Sequence, residues 1–249
     1  MNLLRPYRMA LRYALLCPMP FLLPALFELV QHVAELHAGF YDSLAAMKAA
    51  AYDPARMIFG HAKIVILFLT AYWAARFYGF GEDRRAAIRF DPTAVRLFVP
   101  VMLWSLAWFI VVQDGPILTD ALGLPPRPVG FAMLFLMLAN MLLEVALAAW
   151  KTSACLGLRE IGFMRSLRLT AGQYGRALGL TLAAMLPLMV VHYALTFATI
   201  GQALWITGFA MAVDSLLVAY MVPVSVAANW MIACRVAERN GLTLAPQAT

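Results

Sequence analysis

The sequence predicts an all-α, polytopic membrane helix bundle with six transmembrane helices, and three observations predict it. The 249 residues are 63% hydrophobic and only 13% charged, against about 45–50% apolar and about 25% charged in soluble domains. Six apolar runs are each long enough for the ~20 residues that a helix needs to cross a bilayer. Polar, basic or Pro-rich stretches separate them, and the basic residues gather beside the run ends, as membrane orientation requires. Together the spans and their loops account for residues 1–249 as a single integral membrane domain.

The first run covers about residues 9–30 and holds Pro18, Pro20 and Pro24. Each proline removes a backbone donor, so a kinked or broken helix is expected. Arg5, Arg8 and Arg12 precede or open the run in the manner of a signal peptide. The run is long and no small-x-small cleavage site follows, so a retained helix is expected. In segment 31–57, Val33, Leu36, Phe40, Leu44 and Met47 recur at helical spacing between Glu35, His37, Asp42 and Lys48. That pattern predicts an amphipathic interfacial helix after the first span.

The second span is expected at about 59–80. The third, about 94–113, follows Asp91-Pro92, with Asp as the cap and Pro in the first turn. Segment 114–130, with Asp114, Gly115, Pro116, Pro125, Pro126 and Pro128, reads as an irregular loop. The fourth span is expected at 131–150, the fifth at about 177–200 and the sixth at about 203–232. The last is long enough to tilt. Between the fourth and fifth lies a basic segment, 151–176, with Leu158, Ile161, Met164, Leu167 and Leu169 between its charges. An amphipathic helix along the membrane surface is expected there. It offers Arg159, Arg165, Arg168 and Arg176 to anionic headgroups or to a membrane or cytoplasmic protein partner.

Orientation follows from the basic residues. On this threading Lys48, Arg56, Lys63 and Arg127 fall on one side, and the other 15 of the 19 Lys and Arg residues fall on the side of the N-terminus. The positive-inside rule then puts both termini in the cytoplasm. Trp150 and Trp230 fall at the inner interface and Trp205 at the outer one. The net charge of +6 is thereby explained by the bilayer, and nucleic acid is not an expected partner. Cys17, Cys155 and Cys234 form no CxxC pair, so neither a zinc nor a thiol redox site is read from them.

Four polar groups stand inside the spans: Asn140 and Glu144 on the fourth, His192 on the fifth and Asp214 on the sixth. Asn140 and Glu144 are i,i+4 and share a face. His192 and Asp214 lie nine and twelve residues from the turn at Gly201-Gln202, hence at nearly one depth on adjacent helices. Each pair reads either as a relay for protons or cations, or as packing through interhelical hydrogen bonds. A further cluster, Glu28, His32 and Glu35 at i,i+4,i+7, has His61 opening the next helix. Carboxylate and imidazole together suit a divalent metal, but the spacing is loose, so neither a metal nor any other cofactor is expected. A haem is not expected either, since only His192 lies deep. No phosphate loop, serine elbow or HExxH occurs, so no catalytic residue is assigned.

Residues 166–183, SLRLTAGQYGRALGLTLA, resemble the entry to the fifth helix of a six-helix bacterial family. That family includes the membrane domain of glycerophosphoryl diester phosphodiesterases and relatives of unknown function. Residues 234–244, CRVAERNGLTL, resemble its closing segment, while Leu167-Arg168 stands where the family has a Trp. The resemblance implies architecture and a bacterial inner membrane, not the phosphodiesterase reaction, which belongs to a separate soluble domain. A second resemblance is to the cytoplasmic loop of ABC-importer permeases, with Gly157 followed at the right spacing by Leu167-Arg168-Leu169-Thr170. Lys151-Thr152-Ser153 replaces that loop's Glu-Ala-Ala, and Thr170 its Pro. The expected function is a non-enzymatic scaffold or accessory subunit. The alternatives are a transporter or ABC-type permease subunit for a small solute or lipid, and a lipid-modifying enzyme.

Overall fold

The computed structural model describes residues 3–123 and 125–244, leaving aside the side chains of Pro126 and Arg127. Among the described residues the chain is helical, without strands. The first apolar run is two helices, α1 (Arg5–Leu16) and α2 (Pro18–His37). The break falls at Cys17, because Pro18 and Pro20 withhold two nearby backbone donors, and Pro18 then starts the next helix at the position that tolerates it. The span expected at 9–30 therefore sits later, at Pro18–His37.

The single amphipathic helix expected over 31–57 is not formed. Helix α2 runs on to His37, and Gly39 (φ +71°) turns the chain out of it. Short α3 (Leu44–Ala49) and a 3₁₀ turn (Ala50–Tyr52) follow. Asp53 then caps α4 (Pro54–Gly79) by accepting from the amides of Ala55 and Arg56. After α5 (Arg84–Ile88), Asp91 caps α6 (Pro92–Gln113) in the same way, through Thr93 and Ala94. The expected loop at 114–130 holds α7 (Gly115–Ala121) and the start of α8 (Pro126–Ala146). The order closes with α9 (Ala148–Cys155), α10 (Phe163–Ala171), α11 (Tyr174–Ala198) and α12 (Leu204–Arg239). Six of these, α2, α4, α6, α8, α11 and α12, are long and apolar enough to cross a membrane. Large apolar side chains such as Phe131, Phe135, Val190 and Phe209 stand on the outside. A surface of this kind is stable against hydrocarbon and costly against water.

The chain forms two compact units, one of Met1–Ile88 with Leu180–Ala228, the other of Arg89–Gly179 with Asn229–Thr249. In the first, Tyr13 is fully buried and packs edge-on against Phe77, ring centroids 5.5 Å apart. Prolines inside helices leave carbonyls four residues back without a donor, and side chains from neighbouring helices supply two of them. Pro24 orphans the Pro20 carbonyl, which accepts from Thr70 Oγ1 of α4 at 3.1 Å. Pro187 orphans the Ala183 carbonyl. The Tyr7 hydroxyl of α1 meets it at 3.1 Å, and Ala184 at 2.8 Å. The guanidinium of Arg76, also fully buried, donates to the carbonyls of Ala86 and Ala87 at the end of α5, where the helix dipole favours a cation.

In the second unit the fourth apolar run is cut at Leu147 into α8 and α9. An unbroken helix would bond the Trp150 amide to the Ala146 carbonyl. Instead Ser166 of α10 stands between them. Its Oγ accepts from Trp150 N at 3.2 Å and donates to Ala146 O at 2.8 Å. A side chain inserted into the ladder is a recognised cause of a kink. Thr170, one turn on, adds a second bond to the same carbonyl. Helix α10 thus faces the protein through Ser166 and Thr170, while Trp104 and Trp150 pack edge-on against Phe163. Arg165 and Arg168 of α10, with Arg159 before it and Arg176 after it, remain exposed.

These bonds make two predictions. Thr70→Val keeps shape but strips the donor from the Pro20 carbonyl, with an expected loss of about 1 kcal/mol in detergent unfolding; Thr70→Ser should restore it. Ser166→Ala leaves the Trp150 amide unpaired unless the helix closes, and should cost about 1–2 kcal/mol, with Ser166→Thr near wild type.

Candidate functional site

Helix α2 carries Glu28, Gln31, His32 and Glu35 at i, i+3, i+4 and i+7, which places them on one face. All four are buried. Helix α4 runs against that face and brings Arg56 and Lys63, one on each end of the row. Arg56 Nε donates to Glu35 Oε1 at 2.8 Å, and Lys63 Nζ lies 2.8 Å from Glu28 Oε2. The turn after α2 supplies Tyr41. Its position depends on Gly39, where an added Cβ would lie 2.9 Å from Asp42 Oδ2 in a left-handed conformation. The turn is held by Phe40 N donating to Glu35 O, and by Gly201 N donating to Tyr41 O. Helices α11 and α12 complete the ring with His192 and Asp214.

His32 is the centre. Its Nδ1 lies 2.9 Å from Glu35 Oε2 and 2.8 Å from the Tyr41 oxygen. Burial, reinforced by the Glu35 carboxylate, holds the Tyr41 phenol protonated far above its usual range. Its single hydrogen goes to Glu35 Oε2 at 2.7 Å. Tyr41 can then only accept from the imidazole, so Nδ1 carries hydrogen. The other ring nitrogen, Nε2, faces Asp214 Oδ2 at 3.2 Å and Glu28 Oε1 at 3.5 Å. The second oxygen of Asp214 meets His192 Nδ1 at 2.8 Å. A small cleft of about 10 Å³, room for about one water, is lined in part by His32, Tyr41, Thr196, Thr199, Met211 and Asp214.

Two carboxylate oxygens aimed at one imidazole nitrogen repel each other unless a positive centre lies between them. Three buried carboxylates here face two fixed cations, Arg56 and Lys63. One positive charge is therefore wanting while both imidazoles are neutral, and the geometry puts its place at Nε2.

Two groups of residues that the sequence suggests separately are thus one network. Glu28, His32 and Glu35 join the His192–Asp214 pair through the 3.2 Å contact of His32 with Asp214. His61 is not among the His and carboxylate groups that lie within 4.8 Å of one another; its Nδ1 donates to the Met57 carbonyl of its own helix. Glu144 and Asn140 belong to the other unit. There Lys151 Nζ pairs with Glu144 Oε2 and donates to Ser105 Oγ. The side-chain oxygen of Asn140 has no hydrogen-bond partner among the described residues. Tyr41, Arg56 and Lys63 escape a sequence reading as site residues. The available signal was the i,i+7 spacing of Arg56 and Lys63, which matches that of Glu28 and Glu35 on an antiparallel neighbour.

Comparison with protein-family models, with curated proteins and with solved structures finds no match to this chain.

The network makes a stability prediction. Asp214→Leu removes the acceptor common to both imidazoles and should cost about 3–5 kcal/mol. Adding His192→Leu should cost less than the two single changes combined, with a coupling of about 1–3 kcal/mol in a double-mutant cycle followed by thermal unfolding in detergent.

Proposed function

We propose that this chain is an integral protein of a bacterial inner membrane, both termini cytoplasmic, that admits a small cation to the centre around His32 as part of a transport function. The observation that carries this reading is the convergence of four helices on one buried imidazole whose Nε2 is faced by two carboxylates, a place that suits positive charge. Ionisable groups within spans are costly and usually line ion or substrate paths. Depth supports it as well. From Pro18, at 1.5 Å per residue, Glu28 is roughly 15 Å and Glu35 roughly 26 Å along α2. In a hydrocarbon core of about 30 Å, the charged column then runs from the outer interface to the middle of the membrane. Arg56 and Glu35 mark its mouth, Lys63 and Glu28 its floor.

Size selects among transport substrates. Ligand pockets for drug-sized molecules run to about 300–1,000 Å³. The cleft, at about 10 Å³, is too small for a lipid or a metabolite and has room for a bare ion or a single water. A lipid-modifying enzyme draws no support from the same place. Thr196 and Thr199, which line the cleft, donate to the carbonyls of His192 and Thr196, so neither donates to a base. The scaffold or accessory reading rests on a different feature, the exposed row Arg159, Arg165, Arg168 and Arg176. Such a row suits anionic headgroups or an acidic partner on the cytoplasmic side. The turn at 38–43 and short α3 fit the outer interface.

Reconstitution decides between these readings. Proteoliposomes carrying internal dyes for protons and for divalent cations should take up one of the two at least tenfold faster than protein-free liposomes. Asp214→Asn should abolish the uptake and Glu144→Gln should leave it. If folded protein moves neither cation, transport is wrong and the accessory reading stands.

A further inference from the structure

We infer that Glu28, His32 and Asp214 form a binding site for a divalent transition-metal ion of the zinc class. This deepens the cation reading above and rests on it for the centre alone, independent of transport. One ligand atom from each of the three residues lies within 4.8 Å of the other two, and all three residues are buried. Zinc bonds of about 2.0–2.2 Å to nitrogen and oxygen imply ligand–ligand edges of about 3.3–3.6 Å in a tetrahedron. Of the two edges from His32 Nε2, the 3.5 Å to Glu28 Oε1 falls in that range and the 3.2 Å to Asp214 Oδ2 lies just below it.

The choice of ion follows from the donors. An imidazole nitrogen selects zinc and its neighbours over sodium, calcium or magnesium, which prefer all-oxygen shells. The layer behind the ligands is also what a metal-bound histidine has. His32 shares its Nδ1 hydrogen between Tyr41 and Glu35, the latter giving the carboxylate–histidine–metal arrangement that fixes the ring and raises its basicity. Glu35 is itself held by Arg56, Gln31 and Tyr41. Asp214 keeps its second oxygen for His192. Three protein ligands leave a fourth position, and the cleft beside His32 and Asp214 provides it. Charge agrees. A divalent ion that retains a hydroxide or halide in the fourth position carries net +1, the charge that three carboxylates lack against Arg56 and Lys63.

The test is a cobalt and zinc titration of the full chain, purified in detergent and stripped with chelator. Wild-type protein should bind one equivalent of Zn²⁺ in equilibrium dialysis. With Co²⁺ it should develop the intense visible bands of four-coordinate cobalt, which zinc then bleaches. His32→Gln and Asp214→Asn should each lose at least about 100-fold in affinity. Glu35→Gln, which changes no proposed ligand but alters the support of His32, should lose about 10–100-fold and shift the cobalt bands without abolishing them. Glu144→Gln should bind as wild type. The inference is overturned if folded, monodisperse wild-type protein takes up no stoichiometric metal, or if His32→Gln binds as tightly. Metal bound without liposome flux leaves the site standing and removes transport. Proton flux without metal binding leaves transport standing and assigns the charge at Nε2 to a proton.

Discussion

Among apolar helices a polar group has no water to fall back on, so each carbonyl, hydroxyl and charge must find its partner within the protein. That constraint accounts for most of the long-range bonds in this molecule. It explains why Thr70 sits opposite the carbonyl that Pro24 leaves open, and why Tyr7 sits opposite the one that Pro187 leaves open. It explains why a serine from α10 fills the gap between α8 and α9. The prolines bend the helices, and the hydroxyls make the bends tolerable. Each such bond also ties together segments distant in sequence, so packing specificity arises where the regular ladder fails.

The His32 centre is the same constraint carried to charges. Burying one ion pair costs several kcal/mol per ion before any attraction is counted. A network with three carboxylates survives only because donors surround it. Glu35 takes four hydrogen bonds, from Gln31, Arg56, His32 and Tyr41. Few ways exist to bring so many donors to one point. Here α2 contributes a face, α4 two cations, the Gly39 turn a phenol, and α11 and α12 an imidazole and a carboxylate. The first compact unit is in this sense built around the charges, with Phe40, Tyr41 and Met211 forming an apolar wall beside them.

What could be read from the sequence divides along the same line. The six long apolar helices followed from composition and run length, and the Asp91-Pro92 cap from local chemistry. The meeting of His192 with Asp214 followed from counting residues back from a turn, because helix rise makes depth a linear function of position. The alignment of Glu28, His32 and Glu35 followed from helical periodicity. Joining the two groups did not follow, since no local rule says which face of α2 looks at α12. Tyr41 was hidden because the chain reaches it through a left-handed glycine, which a continuous helical pattern over 31–57 conceals. The break at Leu147 was hidden for a different reason. The sequence FAMLFLMLANMLLEVALAAW holds neither Gly nor Pro, and the cause of the cut is a serine about twenty residues downstream.

The distribution of bonds within the centre differs between the two faces of His32. On the Nδ1 side of His32 every oxygen of Glu35 is occupied, and Tyr41 has a fixed hydrogen to give. That side is rigid and closed, and nothing there can be exchanged without loss of hydrogen bonds. On the Nε2 side two carboxylate oxygens look at one nitrogen across 3.2 and 3.5 Å, and the cleft lies next to them. Glu28 is also tied from its far side, where its other oxygen pairs with Lys63; Asn or Gln in its place would leave that lysine charge uncompensated. The imidazole is thus fixed through its Nδ1 face, while its Nε2 face is where two carboxylates concentrate negative charge within 3.5 Å of one nitrogen.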